Sequence, residues 1–167
     1  MTPRLDNSQT VEKLAFETDA GIGYRARIGL LVLQTDQTLE AELAALMAIE
    51  GVALYHARLA NDAVVSPRSL ARMAEELPRA AELIAPSLGL AAIGYACTSG
   101  ATIIGETRVA EILARIHPGV PCTNPLTAAK AALAALGTAR VGLVTPYTPD
   151  VTLAMQANFS AAGIDVP

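Results

Sequence analysis

The sequence predicts an α/β fold: a parallel-sheet lobe with helices on both faces, followed by the start of a pseudo-symmetric second α/β lobe. Three observations predict it. Short, continuous apolar runs alternate with segments of helical period, which is typical of buried parallel strands joined by helices. Cap residues followed by proline mark helix starts. A strand-turn-helix pattern also recurs later in the chain.

The first βαβ unit begins with the apolar run 27–33, which predicts a strand covered on both faces. A polar turn at 34–38 follows, and apolar residues at helical spacing then predict a helix from Leu39 to Met47. After Gly51, the segment 52–59 predicts a second strand.

Ser66 and Pro67 form a cap followed by a proline and open a helix that Pro78 is expected to kink. The segment 88–96 predicts the third strand, and 97–100 is the turn at its carboxyl end. An amphipathic helix then runs to His117.

Thr123 to Pro125 repeat the cap signal and open a helix that Gly137 closes. A strand at 141–145 and a helix capped at 148–150 follow. We therefore predict a flexible N-terminal segment at 1–26, a first α/β lobe at 27–117 and the opening part of a second at 118–167.

The predicted repeat aligns Arg27–Val32 with Arg140–Thr145, an offset of 113 residues, and Thr35 with Thr148. By the same offset, a second-lobe counterpart of Cys97 would fall near position 210, beyond Pro167. The second lobe is therefore expected to be incomplete, and the 167 residues alone are expected to be inactive or nearly so.

Composition excludes several classes of function. The net charge is −4, aromatic residues make up 4% and no Lys/Arg run occurs, so nucleic acid is not an expected partner. The N-terminus lacks a basic-then-apolar leader, and Gly, Pro, Ser and Thr interrupt the uncharged stretch 83–105. No membrane contact is expected, and a cytoplasmic location is.

Two cysteines 25 residues apart and two histidines form neither a disulfide framework nor a zinc site. Nucleotide, metalloprotease and serine-hydrolase motifs are absent from the sequence. The sequence therefore predicts no metal and no cofactor.

Cys97 is the strongest candidate for chemistry, since it follows a buried strand and precedes Thr98, Ser99 and Gly100 at a helix start. Backbone N–H groups there stabilise a thiolate, and the two hydroxyls are able to bind a carboxylate. The alternative is a structural cysteine buried in a tight turn.

Four other residues are weaker candidates, and two of them leave two interpretations open. Asp36 either orients a polar substrate group or caps a helix, and Tyr147 either donates to an oxyanion or is a half-buried loop residue. Cys122 precedes a helix but lacks the strand-end placement, and His117 is interpreted as a helix-end residue.

Together, Arg27–Leu30 with the Thr/Asp turn, Ala96–Gly100, His117–Pro121 and Thr145–Thr148 resemble the aspartate/glutamate racemase superfamily. The most similar branch holds maleate cis–trans isomerase, arylmalonate decarboxylase and the ectoine-utilisation proteins. The Asp36 turn and the stretch 58–62 most resemble the ectoine-utilisation group.

The resemblance implies a cofactor-independent racemase or isomerase with two lobes that each contribute one cysteine to a cleft. Cys97 would be the catalytic thiol of the first lobe. Thr98, Ser99, Tyr147 and Thr148 would bind the substrate carboxylate or its enediolate. Asp36 stands where maleate isomerases have a carboxylate-binding asparagine, and an aspartate there would repel a dicarboxylate.

Two alternatives stay open. One is an arylmalonate-decarboxylase-like decarboxylase, although that branch lacks a cysteine at the position of Cys97. The other is a non-catalytic module that binds a small molecule on the same fold. The expected partner is a small carboxylate, and a homo-oligomer is a further possibility.

Overall fold

The computed structural model describes residues 13–62 and 64–167. Part of the predicted N-terminal segment, residues 1–12, lies outside the described residues. Residues 13–25 contain no helix or strand, and the side chains of 13–22 are exposed. The regular structure begins at Ala26.

Strands and helices alternate from Ala26 onward, and the predicted α/β class is confirmed. In chain order the elements are β1 Ala26–Leu33, α1 Leu39–Leu46, β2 Val52–Leu59, α2 Pro67–Glu82, β3 Ala92–Tyr95, α3 Thr98–Ile104, α4 Glu106–Ile116, β4 Cys122–Thr123, α5 Pro125–Ala135 and α6 Pro149–Ala161.

The four strands form one parallel sheet in the order β2-β1-β3-β4. Ile28 of β1 pairs with Leu54 of β2 on one side and with Ala92 of β3 on the other. From β1 the chain moves outward to β2 and then returns across β1 to β3. This order creates a topological switch point between β1 and β3, where open α/β sheets bind their ligands.

The main core lies on the sheet face that α2, α3 and α4 cover. Leu31, Ile93 and Tyr95 are fully buried there against Leu77 of α2 and Leu113 of α4. Right-handed crossovers place α1 on the opposite face. That helix has no buried residue, and Leu46 is 74% exposed.

The structure corrects the third strand, which spans four residues instead of the predicted 88–96. Pro86–Leu88 forms a 3-10 helix, and Gly89 adopts a left-handed backbone with φ of 67°. Neither conformation continues a strand, so the apolar run overstates its length. The helix α2 continues through Pro78 as a single element.

Two elements after His117 also differ from the sequence prediction. The short strand β4 was not predicted; it pairs with β3 and so lies in the first sheet, beyond the predicted lobe boundary at 117. The predicted strand 141–145 is not a regular strand: the parallel bridge beside it joins Arg140, the residue before the segment, to Asp165, and the Val141 N–H donates to the Asp165 carbonyl oxygen at 3.0 Å. Val144 in this segment is 97% exposed.

An ion pair between Glu106 and Lys130 joins the start of α4 to the middle of α5. The Glu106 carboxylate accepts hydrogen bonds from Lys130 and Thr127, and its side chain is 21% exposed. Burial raises the pKa of Glu106, but the hydrogen bonds and the charge of Lys130 outweigh it, so the pKa lies below its ordinary value.

We expect Glu106→Gln to lower the free energy of unfolding by about 1 kcal/mol at neutral pH. Because the folded-state pKa is depressed, this stabilisation exists above the unfolded pKa and is lost as the pH falls through the folded one. The difference from the parent should therefore shrink in acid. Urea titrations at several pH values measure it, with Glu111→Gln on the exposed face of the same helix as control. An equal difference at every pH would contradict this account.

No helix within residues 13–62 and 64–167 is both long and apolar enough to cross a membrane.

Candidate active site

The carboxyl edge of the sheet at the switch point carries the candidate site. Asp36 follows β1 by three residues, and Cys97 follows β3 by two. Because β1 and β3 are adjacent and parallel, both turns leave the same edge of the sheet. The geometry of the fold therefore brings Asp36 and the segment Cys97–Ser99 to one side of the molecule.

Cys97 is the N-cap residue of α3 and has an extended backbone, with φ of −142° and ψ of 111°. It is only 5% exposed. The Gly100 N–H donates a hydrogen bond to Cys97 Sγ at 3.2 Å, and Ser99 Oγ lies 3.7 Å from the sulfur. The thiol thus takes the position that a serine or aspartate oxygen usually has at a helix start.

Thr98 and Ser99 form the first turn of α3. Ser99 is 5% exposed, and Thr98 is half-buried, with a backbone carbonyl that accepts a hydrogen bond from Thr102 Oγ1 at 2.9 Å. The Ser99 hydroxyl lies directly beside the thiol. The predicted carboxylate-binding role of both residues stays a prediction.

Two residues that the sequence analysis did not select complete the surroundings of the thiol. The Tyr95 side chain is fully buried beside Cys97, and burial, followed by the adjacent Cys97 sulfur, raises the pKa of Tyr95. Gly100 is packed so closely that a Cβ there would lie 2.1 Å from Tyr95 Oη and 3.0 Å from Cys97 Sγ. The absence of a side chain at 100 is what lets the hydroxyl and the sulfur converge.

Asp36 helps to cap α1 in this structure from the turn that precedes the N-cap residue Thr38. Its Oδ1 accepts hydrogen bonds from the backbone N–H groups of Thr38 and Leu39, each at 2.9 Å. The Leu39 bond, then the Thr38 bond, and also the charge of Arg58 hold the pKa of Asp36 below its ordinary value. The residue is therefore an anion at neutral pH, at the edge of the sheet that carries Cys97.

The loop that bears Asp36 is fixed by side chains from the end of β2. Arg58 Nη1 donates to the carbonyl oxygens of Gln34 and Asp36 at 3.0 and 2.9 Å, while its Nη2 pairs with Glu40 at 2.7 Å. Asn61 exchanges hydrogen bonds with Thr35. The stretch 58–62 is part of the resemblance to the ectoine-utilisation group. In the structure this stretch anchors the loop that bears Asp36.

Tyr147 and Thr148 lie just before α6, which packs against α3. Tyr147 is half-buried against the core cluster that includes Cys97. Thr148 is the N-cap residue of α6, is exposed and makes no side-chain capping bond. Both therefore belong to the layer of helices that adjoins α3, and their substrate-binding role stays a prediction.

Cys122 is the first residue of β4, a strand that the sequence does not predict, and it lies opposite Ile93. Burial raises the pKa of this thiol, which disfavours a thiolate. His117 is the C-cap residue of α4 and is 2% exposed, with its Nε2 3.0 Å from the Ala81 carbonyl oxygen. This contact confirms its interpretation as a helix-end residue.

Within the part of the chain that the structure describes, no three His, Cys, Asp or Glu side chains are grouped to hold a metal ion. The candidate site therefore consists of a buried thiol, adjacent hydroxyl groups and one carboxylate.

Comparison with known proteins finds matches among solved structures. No protein-family model matches the sequence, and the search of curated proteins gives no match. Solved structures do match. A cysteine-to-serine variant of the Nocardia farcinica maleate cis–trans isomerase, which has a covalently bound succinylcysteine intermediate, is 30% identical with a TM-score of 0.71. The similarity covers 84% of this chain and 61% of that one.

A cysteine-to-alanine variant of the maleate isomerase of Pseudomonas putida S16 with maleate is 25% identical, with a TM-score of 0.72 over 85% of this chain and 61% of that one. Unliganded arylmalonate decarboxylase shares the fold, at 24% identity and a TM-score of 0.64, over 84% of this chain and 59% of that one.

The solved structures to which the chain is similar are maleate isomerases and arylmalonate decarboxylase, members of the aspartate/glutamate racemase superfamily. The chain spans about 61% of the length of the maleate isomerases that it matches.

Proposed function

We propose that this chain contributes Cys97 to a cofactor-independent isomerase that acts on a small carboxylate. The observation that carries the proposal is the placement of the Cys97 sulfur at the switch point, where a backbone N–H and the Ser99 hydroxyl adjoin it. A thiolate there has donors close by and faces the region where open α/β sheets bind ligands. Racemisation and cis–trans isomerisation, the two reactions considered for such an enzyme, would both use this thiol.

Thiolate addition is the variant that needs only the thiol found at this site. Cys97 Sγ forms a bond to one alkene carbon of an unsaturated carboxylate, and the π electrons move onto the carboxylate as an enediolate. The former double bond rotates, the electron pair returns and the C–S bond breaks. Hydroxyl donors at Thr98, Ser99, Tyr147 and Thr148 would stabilise the enediolate oxygens.

The succinylcysteine of the Nocardia farcinica enzyme supports this route, because it is a thioether between a cysteine and a four-carbon diacid. Racemisation would need a second thiol on the opposite face of the substrate. Cys122 suits that role poorly, since burial disfavours its thiolate. We place addition to a C=C bond ahead of two-thiol proton exchange because the succinylcysteine of the Nocardia farcinica enzyme is the adduct that such an addition forms. A cytoplasmic location and a role in ectoine utilisation stay predictions.

Proton NMR in deuterated buffer tests the proposal with this chain and with a version extended through a complete second lobe. The panel contains cis-alkenes with one or two carboxylates, single enantiomers of α-substituted acids and an arylmalonate. The extended version is expected to convert a cis-alkene to its trans isomer, and the 167 residues alone are expected to do so slowly or not at all. Loss of carbon dioxide from the arylmalonate would instead identify a decarboxylase, and binding without any conversion would identify a non-catalytic module. Either result would contradict the proposal.

The charge at Asp36 makes a prediction about substrate choice. An ionised carboxylate at this edge repels the second carboxylate of a diacid, so Asp36→Asn is expected to raise kcat/KM for maleate relative to a monocarboxylate by about tenfold. Asparagine preserves the cap of α1. Asp62→Asn, at the exposed end of β2, is the matched control. An unchanged ratio of the two rates would place Asp36 outside the substrate site.

A further inference from the structure

The hydroxyl of Tyr95 is a buried donor without a hydrogen-bond partner among the described residues. Tyr95 is fully buried on β3, two residues before Cys97. An unsatisfied hydroxyl in a core costs stability, and phenylalanine would fill the same space without that cost. The position therefore has an unexplained polar group next to the candidate catalytic thiol.

The hydroxyl and Cys97 Sγ border the same small space above Gly100. Tyr95 Oη and Cys97 Sγ both lie within 3.0 Å of the point where a Cβ on Gly100 would be. The sulfur already accepts a hydrogen bond from the Gly100 N–H, and Ser99 Oγ lies 3.7 Å away. Tyr95 thus provides a third donor group in the same small volume.

The protonation state of Tyr95 fits the part of a donor. Burial and the adjacent sulfur both raise the pKa of Tyr95, so the phenol keeps its proton at neutral pH. A third hydrogen-bond donor stabilises a neutral thiol little, whereas a thiolate accepts several hydrogen bonds and is stabilised by each.

We propose that Tyr95 is a positioning residue that donates a hydrogen bond to Cys97 Sγ when the thiol ionises, and so orients the thiolate for attack. The inference rests on the proposed function in taking the thiolate as the working form. It transfers no proton: the phenol keeps its hydrogen, and the hydrogen bond weakens when Sγ becomes bonded to carbon. In the resting enzyme, where the thiol is neutral, the Tyr95 hydroxyl has no hydrogen-bond partner within the described part of the chain; it becomes the donor to Sγ when the thiol ionises.

The test measures the pH profile of alkylation at Cys97 in a Cys122→Ser background, where iodoacetamide has one thiol to modify. Tyr95→Phe is expected to slow alkylation about tenfold at neutral pH and to move the profile to higher pH. The free energy of unfolding should stay level or rise, since the variant removes an unsatisfied buried group. Tyr55→Phe, a half-buried tyrosine on the same sheet face, is the control and should leave the profile in place.

A profile that Tyr95→Phe leaves unchanged, or moves to lower pH, would overturn the proposal. Because Cys97 is only 5% exposed, the ultraviolet absorbance of the thiolate is titrated in parallel, with the variant lacking both cysteines as the blank. If Tyr95→Phe does not shift the titration curve of the thiolate absorbance, the proposal is likewise overturned. Neither measurement uses a substrate. If the proposed function is wrong, the substrate assay shows no conversion, while Tyr95→Phe still shifts the alkylation profile and the thiolate titration.

Discussion

In the version extended through a complete second lobe, replacement of Cys97 by serine is expected to reduce the isomerisation rate by about 10²–10⁴-fold, because a serine hydroxyl does not ionise near neutral pH and adds poorly to an alkene. Serine retains an N-cap oxygen for α3, so the fold should persist. The measurement is the rate of conversion by NMR, together with the circular dichroism spectrum of each variant.

Cys122→Ser is the matched control, since it replaces the other thiol with the same residue. Its conversion rate should stay within about twofold of the parent, as expected for a residue outside the reaction. Equal losses in both variants would point to a general effect on the fold. Unchanged conversion in the Cys97 variant would remove this residue from the mechanism.

Gly100→Ala is expected to lower the free energy of unfolding by about 2 kcal/mol, as overpacking of a buried site does. Helix propensity alone predicts the opposite sign, since alanine is favoured over glycine in a helix by about 1 kcal/mol. The clash prevails because the added Cβ would lie 2.1 Å from Tyr95 Oη in a fully buried cluster. Urea denaturation measures the change.

A double-mutant cycle separates this contact from other effects of the alanine. With Tyr95 replaced by phenylalanine, the oxygen at 2.1 Å is gone and the nearest atoms are Cys97 Sγ and the ring Cζ, both at 3.0 Å. The cost of Gly100→Ala should then fall by about half. An equal cost in both backgrounds would show that the hydroxyl does not occupy the space above Gly100.

Local patterns in the sequence predict most of the fold. The apolar runs at β1 and β2 and the Ser66–Pro67 cap of α2 are signals carried by neighbouring residues, and the structure confirms them. Sequence patterns do not predict the strand β4, because two residues are too few to show a hydrophobic period. The strand is defined only by its pairing with β3. The segment 141–145 shows the converse, since an apolar run without adjacent strands does not form a regular strand.

The site divides in the same way. Cys97 is predictable because strand end, helix start and hydroxyl neighbours are adjacent in sequence. The anchoring of the Asp36 loop by Arg58 is not, because it joins residues more than twenty positions apart. The role of Tyr95 depends on the position of a buried hydroxyl and on the close packing of Gly100, which only coordinates provide. Asp36 kept two sequence interpretations; the structure shows the capping one and leaves substrate contact as a proposal.

The central claim is that Cys97 Sγ is the atom that bonds to substrate carbon, and peptide mapping tests it most directly. The version extended through a complete second lobe is incubated with a cis-unsaturated carboxylate, quenched in acid during conversion, digested and analysed by mass spectrometry. We expect the thioether adduct on the peptide that contains Cys97, and none on the peptide that contains Cys122. An adduct confined to Cys122, or conversion with no adduct on Cys97 at any time, would contradict the account.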